Sequence, residues 1–139
     1  MTDRPATLAW RARYATQIPS IDAYHQGIFK VFRKLLQTTR SGRMGIAIGP
    51  ILEFLEKYSR SHFAGEEACM QEAGFPDAAT HLQEHSQFMA QLGQLQERFS
   101  QGEQGIEGEL VLLLSGWLSV HILKRDRSFA AFLHGRSMV

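Results

Sequence analysis

The stretch "ILEFLEKYSRSHFAGEE", residues 51–67, decides the fold class. Ile51, Leu55, Tyr58, His62 and Glu66 recur every three to four positions, the period of one helix face. The face continues through Cys69 and Ala73, and Gly74 supplies a C-terminal stop. Such a stripe normally packs into a core. Here it carries an imidazole and a carboxylate one turn apart, stacked on the same side. Either that side faces solvent, or the core holds something that neutralises it.

Three more stripes flank this one. The first is predicted to open near Ser20, a suitable N-cap after Pro19, and carries Ile21, His25, Ile28, Phe32 and Leu35 as far as "TTRSGRMG". The second is predicted to firm up at Pro50, a natural first-turn residue. The third follows "FPDAAT" with His81, His85, Phe88, Leu92, Leu95 and Phe99. The fourth follows the glycine-rich "SQGEQGIEGE" with Leu110, Leu114, Trp117 and His121, and runs on, with or without a break, through Phe129 and Phe132. No segment alternates with period two. Four amphipathic helices on short connections predict an all-α, up-down-up-down four-helix bundle over about residues 20–134. Residues 1–19, with Trp10 and Tyr14, are expected to form an N-terminal arm over one end, and a break in the fourth stripe would add a short C-terminal helix.

Bulk properties narrow the class without choosing a function. A length of 139 residues predicts one domain, 1–139, able to bury a real core. The formal charge of +1 gives no field that argues for nucleic acid or an anionic membrane. One cysteine, Cys69, excludes an intrachain disulfide and a multi-cysteine zinc site. There is no apolar leader and no run of apolar residues long enough to span a membrane, so the expected setting is the cytoplasm.

Histidine is the unusual count, at six. His25, His62, His81, His85 and His121 all fall on the core-facing stripes, with Glu66 beside His62 and Asp126 five residues after His121. Asp126 shares the side of His121 if the helix loosens slightly. In an up-down bundle these seven residues lie at similar depths from one pole, on the order of 6–18 Å at 1.5 Å per residue. A buried unpaired carboxylate costs several kcal/mol, and polar groups without partners about 1–3 kcal/mol each. Left uncompensated, seven such groups exceed a typical folding stability of about 5–15 kcal/mol. Metal removes the difficulty. Imidazole suits iron, zinc, copper and nickel, carboxylate can bridge two ions, and seven donors are too many for one tetrahedral ion.

Each part has a blander reading. A lone stripe histidine is more often a satisfied core residue, and a single His-x-x-x-Glu pair is a weak motif. The conjunction of all seven at one level is the specific signal. His134 has no partner pattern and reads as surface. Cys69 and Met70 read as helix packing. Glu67 points about 100° away from Glu66 and reads as solvated or as a support behind the donors. The charges of "RSGR" and "KRDR" read as solvated.

These residues resemble a known family. His25 after "IDAY", His62-Phe63-x-x-Glu66-Glu67-x-x-Met70, Phe75-Pro76, His81-x-x-x-His85 and Trp117-Leu118-x-x-His121-Ile122-x-x-x-Asp126 look like the hemerythrins, specifically single-domain bacteriohemerythrins, over about residues 10–133. The resemblance implies two non-haem iron ions with a bridging oxo or hydroxo group, binding O2 reversibly. It implies that His81, His85 and His121 hold one iron and His25 and His62 the other, with Glu66 and Asp126 bridging. Two positions depart from the family pattern: Tyr24 where glutamine is frequent, and Gln17 where glycine is common. Tyr24 is either a donor that orients a ligand or ordinary packing.

Five imidazoles against two carboxylates favour a carrier over an oxidase, because carboxylate-rich sites better stabilise high-valent iron. Leu118, one turn before His121, is the foremost candidate for an apolar wall around O2, with Trp117, Ile28, Phe29 and Phe63 as others. The expected function is oxygen storage, delivery or sensing, without enzymatic turnover. The alternatives are a redox- or O2-sensing module acting on an unidentified protein partner, and a di-iron enzyme acting on peroxide or nitric oxide.

Overall fold

In the computed structural model four rods run from α1 (Pro19–Ser41) through α2 (Met44–Ala73) and α3 (Ala78–Ser100) to α4 (Ile106–Gly116). The fourth rod continues without interruption as a π-helical segment, Trp117–Arg125, and then as α5 (Asp126–Gly135). The structure describes residues 15–41 and 44–135, and the side chains of these except 38–47. Trp10 and Tyr14 of the expected arm, and the "RSGR" charges, lie outside that range. Among the described residues there is no strand, and α1 packs on α2 and α4 while α3 packs on the same two, as in a four-helix bundle.

Two helix starts differ from the sequence expectation. α1 begins at Pro19, not after a Ser20 cap. Its N-terminus is organised by Asp22, whose Oδ1 accepts from the Thr16 amide and hydroxyl, both at 2.8 Å, and whose Oδ2 accepts from the Gln17 amide at 3.1 Å. The acid in the first turn thus reaches back to tie down the segment before the helix, as the acid of a capping box does, and does not replace a serine cap on the first-turn amides. α2 begins at Met44, so Pro50 lies inside it. Proline's φ suits a helix, but its ring removes one backbone donor and crowds the carbonyl four residues before it.

Gln17 is the one non-glycine residue with positive φ among those described, at 63°. That left-handed backbone explains why glycine suits the position. Gly74 ends α2 at φ 68°, with the Phe75 amide donating to the Met70 carbonyl at 3.1 Å.

The apolar core is split. A larger cluster contains Phe32, Leu35, Leu55, Phe88, Leu92, Leu110 and Leu114 and extends to Ile28, Phe63, Trp117 and Leu118. A smaller one gathers Ile18, Ile21, Met70, Phe75, Phe129 and Leu133 at the other pole. Buried polar side chains from all four rods occupy the level between. The last rod, Ile106–Gly135, is long and apolar enough by composition to cross a membrane, with a mean hydropathy of 1.5 over its most apolar window. In the bundle its Leu110, Leu114, Leu118, Ile122 and Phe129 are buried core.

Candidate metal centre

All seven donors selected from the sequence meet in one layer. Ligand atoms of Glu66, His81, His85, His121 and Asp126 lie within 4.8 Å of one another. His25 Nε2 is 2.7 Å from Asp126 Oδ2, and His62 Nε2 is 3.1 Å from Glu66 Oε2. The side chains of His25, Glu66, His81, His85, His121 and Asp126 are at most 2% exposed, whereas His62 is 11% exposed.

The two carboxylates sort the five imidazoles. Asp126 directs Oδ2 to His25 and Oδ1 to His81 at 3.0 Å and His121 at 3.3 Å. Glu66 directs Oε2 to His62 and Oε1 to His81 at 2.8 Å and His85 at 3.1 Å. Each acid therefore has one oxygen on the side of His25 and His62, and the other on the side of His81, His85 and His121.

Asp126 owes its place to the π-helical segment. In a regular α-helix a residue five positions after His121 would point about 140° away. Here the Asp126 amide donates to the His121 carbonyl, an i to i+5 bond, and the wider turn brings both side chains inward.

Behind the layer stand further carboxylates. His85 Nδ1 is 2.8 Å from Glu67 Oε2, and His121 Nδ1 is 2.8 Å from Glu84 Oε1. Glu84 also accepts from Arg125 Nε at 2.6 Å. Glu67 thus supports a donor, and Arg125 of "KRDR" is paired. Sequence reading missed Glu84, because its partners lie 37 and 41 residues away on another rod. His134, read as unpartnered, is exposed but donates from Nε2 to the Thr16 carbonyl at 2.8 Å.

These outer bonds fix the tautomer. An imidazole that donates from Nδ1 to a carboxylate presents a lone pair at Nε2. His85 Nε2 and His121 Nε2 then face carboxylate oxygens, acceptor against acceptor, and neither makes a hydrogen bond; nor does Asp126 Oδ1. Buried acceptors facing one another are unfavourable unless a cation stands between them. The donor set of neutral imidazoles and bridging acids fits two divalent ions of the iron or zinc class.

The titration behaviour of the cluster agrees with a demand for positive charge. Burial and the Asp126 charge push Glu66 upward, but the adjoining imidazoles of His62, His81 and His85 outweigh them and bring it down to about 2. Burial likewise raises Asp126, and the adjoining imidazoles of His121, His25 and His81 prevail, holding it well below the usual range. Burial lowers His81, yet Asp126 and Glu66 lift it to about 9.

Aromatic rings press on the imidazoles. Phe63 stacks on His85 and Trp117 on His121, each with centroids 3.9 Å apart and planes 5° from parallel. Tyr24 stacks on His62 at 4.0 Å. Its hydroxyl bonds Ser59 Oγ at 2.8 Å, so it contacts the donor through its face and its phenol points to other partners. Burial pushes the Tyr24 hydroxyl far above its ordinary pKa. Ile28, Phe29 and Leu118 are at most 1% exposed in the same core cluster.

Residues 16–133 match the family model of the hemerythrin HHE cation binding domain. The chain is 34% identical to a bacteriohemerythrin of Stenotrophomonas maltophilia over 90% of its length and 80% of that protein. It is 32% identical to a bacteriohemerythrin of Methylococcus capsulatus, covering 92% of this chain and 98% of the relative. With myohemerythrin-1 of Phascolopsis gouldii it shares 28% identity over 89% of its length and 92% of that protein. A four-helix bundle with a buried histidine and carboxylate layer, matched over nearly its whole length, places this chain in the hemerythrin family.

Proposed function

We propose that the chain binds O2 reversibly at two iron ions held in the buried layer, as a store, carrier or sensor of oxygen. The reading rests chiefly on the way Glu66 and Asp126 divide the imidazoles into sets of two and three. His81, His85 and His121 would hold one ion, His25 and His62 the other, and the two acids would bridge. Three donors against two would leave the second ion a vacant position. Iron, when bound, supplies the electrons with which O2 is held.

The protein's part is to position and to exclude. Glu67 and Glu84 fix the rings of His85 and His121 from behind, while Phe63, Trp117 and Tyr24 hold ring planes by stacking. Leu118, Ile28 and Phe29 keep water and stray protons from the interior. The excess of neutral imidazole favours release of intact O2 over its cleavage, which supports a binding protein rather than an enzyme. We treat residues 1–139 as one such domain.

The test is metal content with optical spectra. Two iron atoms per chain, a nearly colourless anaerobic ferrous form, and visible bands that appear in air and fade under argon are expected. A ferric end point that does not reverse would refute the carrier reading, and far fewer than two metal atoms after reconstitution would refute the site.

A further inference from the structure

Two surface clefts reach the metal layer. One, of about 320 Å³, lies between α3 and α4 and ends on His121. The back of that imidazole is closed: Nδ1 is engaged by Glu84, Glu84 is engaged by Arg125, and Trp117 covers the ring face. The other, of about 290 Å³, lies between α1, α2 and α5 and ends on His62 and Glu66. His62 is the most exposed of the seven donors.

The walls of the second cleft differ in kind. Ile18, Ile21, Phe129 and Leu133 make one side apolar. On the α2 side Ser61, His62, Glu66 and Cys69 offer polar atoms, from exposed Ser61 to the buried Glu66 carboxylate. Gly65 stands among them, in the interior of a 30-residue helix. Glycine there weakens the helix relative to alanine. Neither usual reason for glycine applies. Its φ is not positive, and a Cβ built on it meets no atom within 4 Å. What the missing side chain does leave is open space in the wall beside His62 and Glu66; Gly116 leaves the same in the other cleft, so the donors and not the glycines distinguish the two.

We infer that this cleft is the doorway through which divalent cations reach and leave the buried layer, with Gly65 keeping it open and His62 the first donor they meet. The inference rests on the metal-centre reading, and not on O2 binding. A partly dehydrated cation needs successive polar atoms along its path, and the α2 wall provides them. The α3–α4 cleft also holds polar side chains, Gln87 and Gln91, but it meets His121 from the side of Nδ1, which Glu84 and Arg125 close off, and not from the side of Nε2 that faces the layer.

The test compares the anaerobic uptake of ferrous iron by metal-free protein, and its removal by EDTA, in wild type, Gly65→Leu and Leu112→Trp. Leu112 lines the other cleft and is 73% exposed, so its variant fills that route without touching a donor. Gly65→Leu should slow both uptake and removal by about tenfold or more, equivalent to a barrier about 1.4 kcal/mol higher, with final stoichiometry unchanged. Leu112→Trp should leave both rates as they are. Full loading of Gly65→Leu at the wild-type rate, or equal slowing by Leu112→Trp, would overturn the doorway while leaving the metal centre intact. A wild-type chain that takes up no iron would overturn both.

Discussion

Tyr24 lies flat on His62, their planes 3° apart, while its hydroxyl meets Ser59 in a fully buried pair. One residue thus joins α1 to α2 through a ring face and a phenol, with different consequences for each.

Removing only the hydroxyl separates them. Tyr24→Phe keeps the stack and leaves the Ser59 hydroxyl buried without its partner, which should cost about 1–3 kcal/mol. Iron content should stay at the wild-type value. Denaturant unfolding together with metal analysis checks this; restoration of stability by the added Ser59→Ala change would identify the hydroxyl pair as the cause.

Glu84 acts through His121. Glu84→Gln keeps the shape but weakens the acceptor that orients the imidazole, and should lower metal affinity by about 10–100-fold. Competition with a chelator measures it. An affinity equal to wild type would mean that Trp117 alone holds the ring.

Gly27 leaves no room for a side chain unless Tyr58 moves. A Cβ there would come within 2.3 Å of the Tyr58 hydroxyl oxygen and 2.8 Å of its ring. Gly27→Ala should therefore destabilise by about 1–3 kcal/mol through overpacking between α1 and α2. In a Tyr58→Ala background the same change should be neutral or stabilising, since alanine is the better helix former. A double-mutant cycle showing simple additivity would contradict the clash.

Gln17 holds a left-handed backbone that L side chains disfavour. Gln17→Gly should raise stability by about 0.5–1 kcal/mol, the strain relieved exceeding the entropy added to the unfolded chain. Thermal unfolding reads it directly, and a lower melting temperature would show that the glutamine side chain contributes more than its backbone costs.

How much of this was legible beforehand depended on range. Helix period placed the histidines on inward faces because that information is local: His81 and His85 are one turn apart and need no knowledge of other rods. Their common level followed once a bundle was assumed. The loosened turn before Asp126 was foreshadowed by a spacing of five, though not its extent from Trp117 to Arg125. Glu84 carried no such mark. Its role comes from which rod lies opposite, and an exposed-looking acid next to His85 reads like any solvated one. The Ser20 and Pro50 boundaries failed for a related reason. Propensity names residues that can begin a helix, whereas Asp22 reaching back to Thr16 decided where α1 does begin.

The widened turn also bears on what happens before any cation arrives. Relaxing it to ordinary winding would shift everything beyond by one residue and carry Asp126 away from His121. Yet Phe129 and Leu133 are wedged against Ile18, Met70 and Phe75 at the lower pole, and that rotation would swing them toward water. The greasy plug therefore works like a pawl on a ratchet: it keeps the last rod from tightening back into ordinary winding, so that His121 and Asp126 stay turned to the same side.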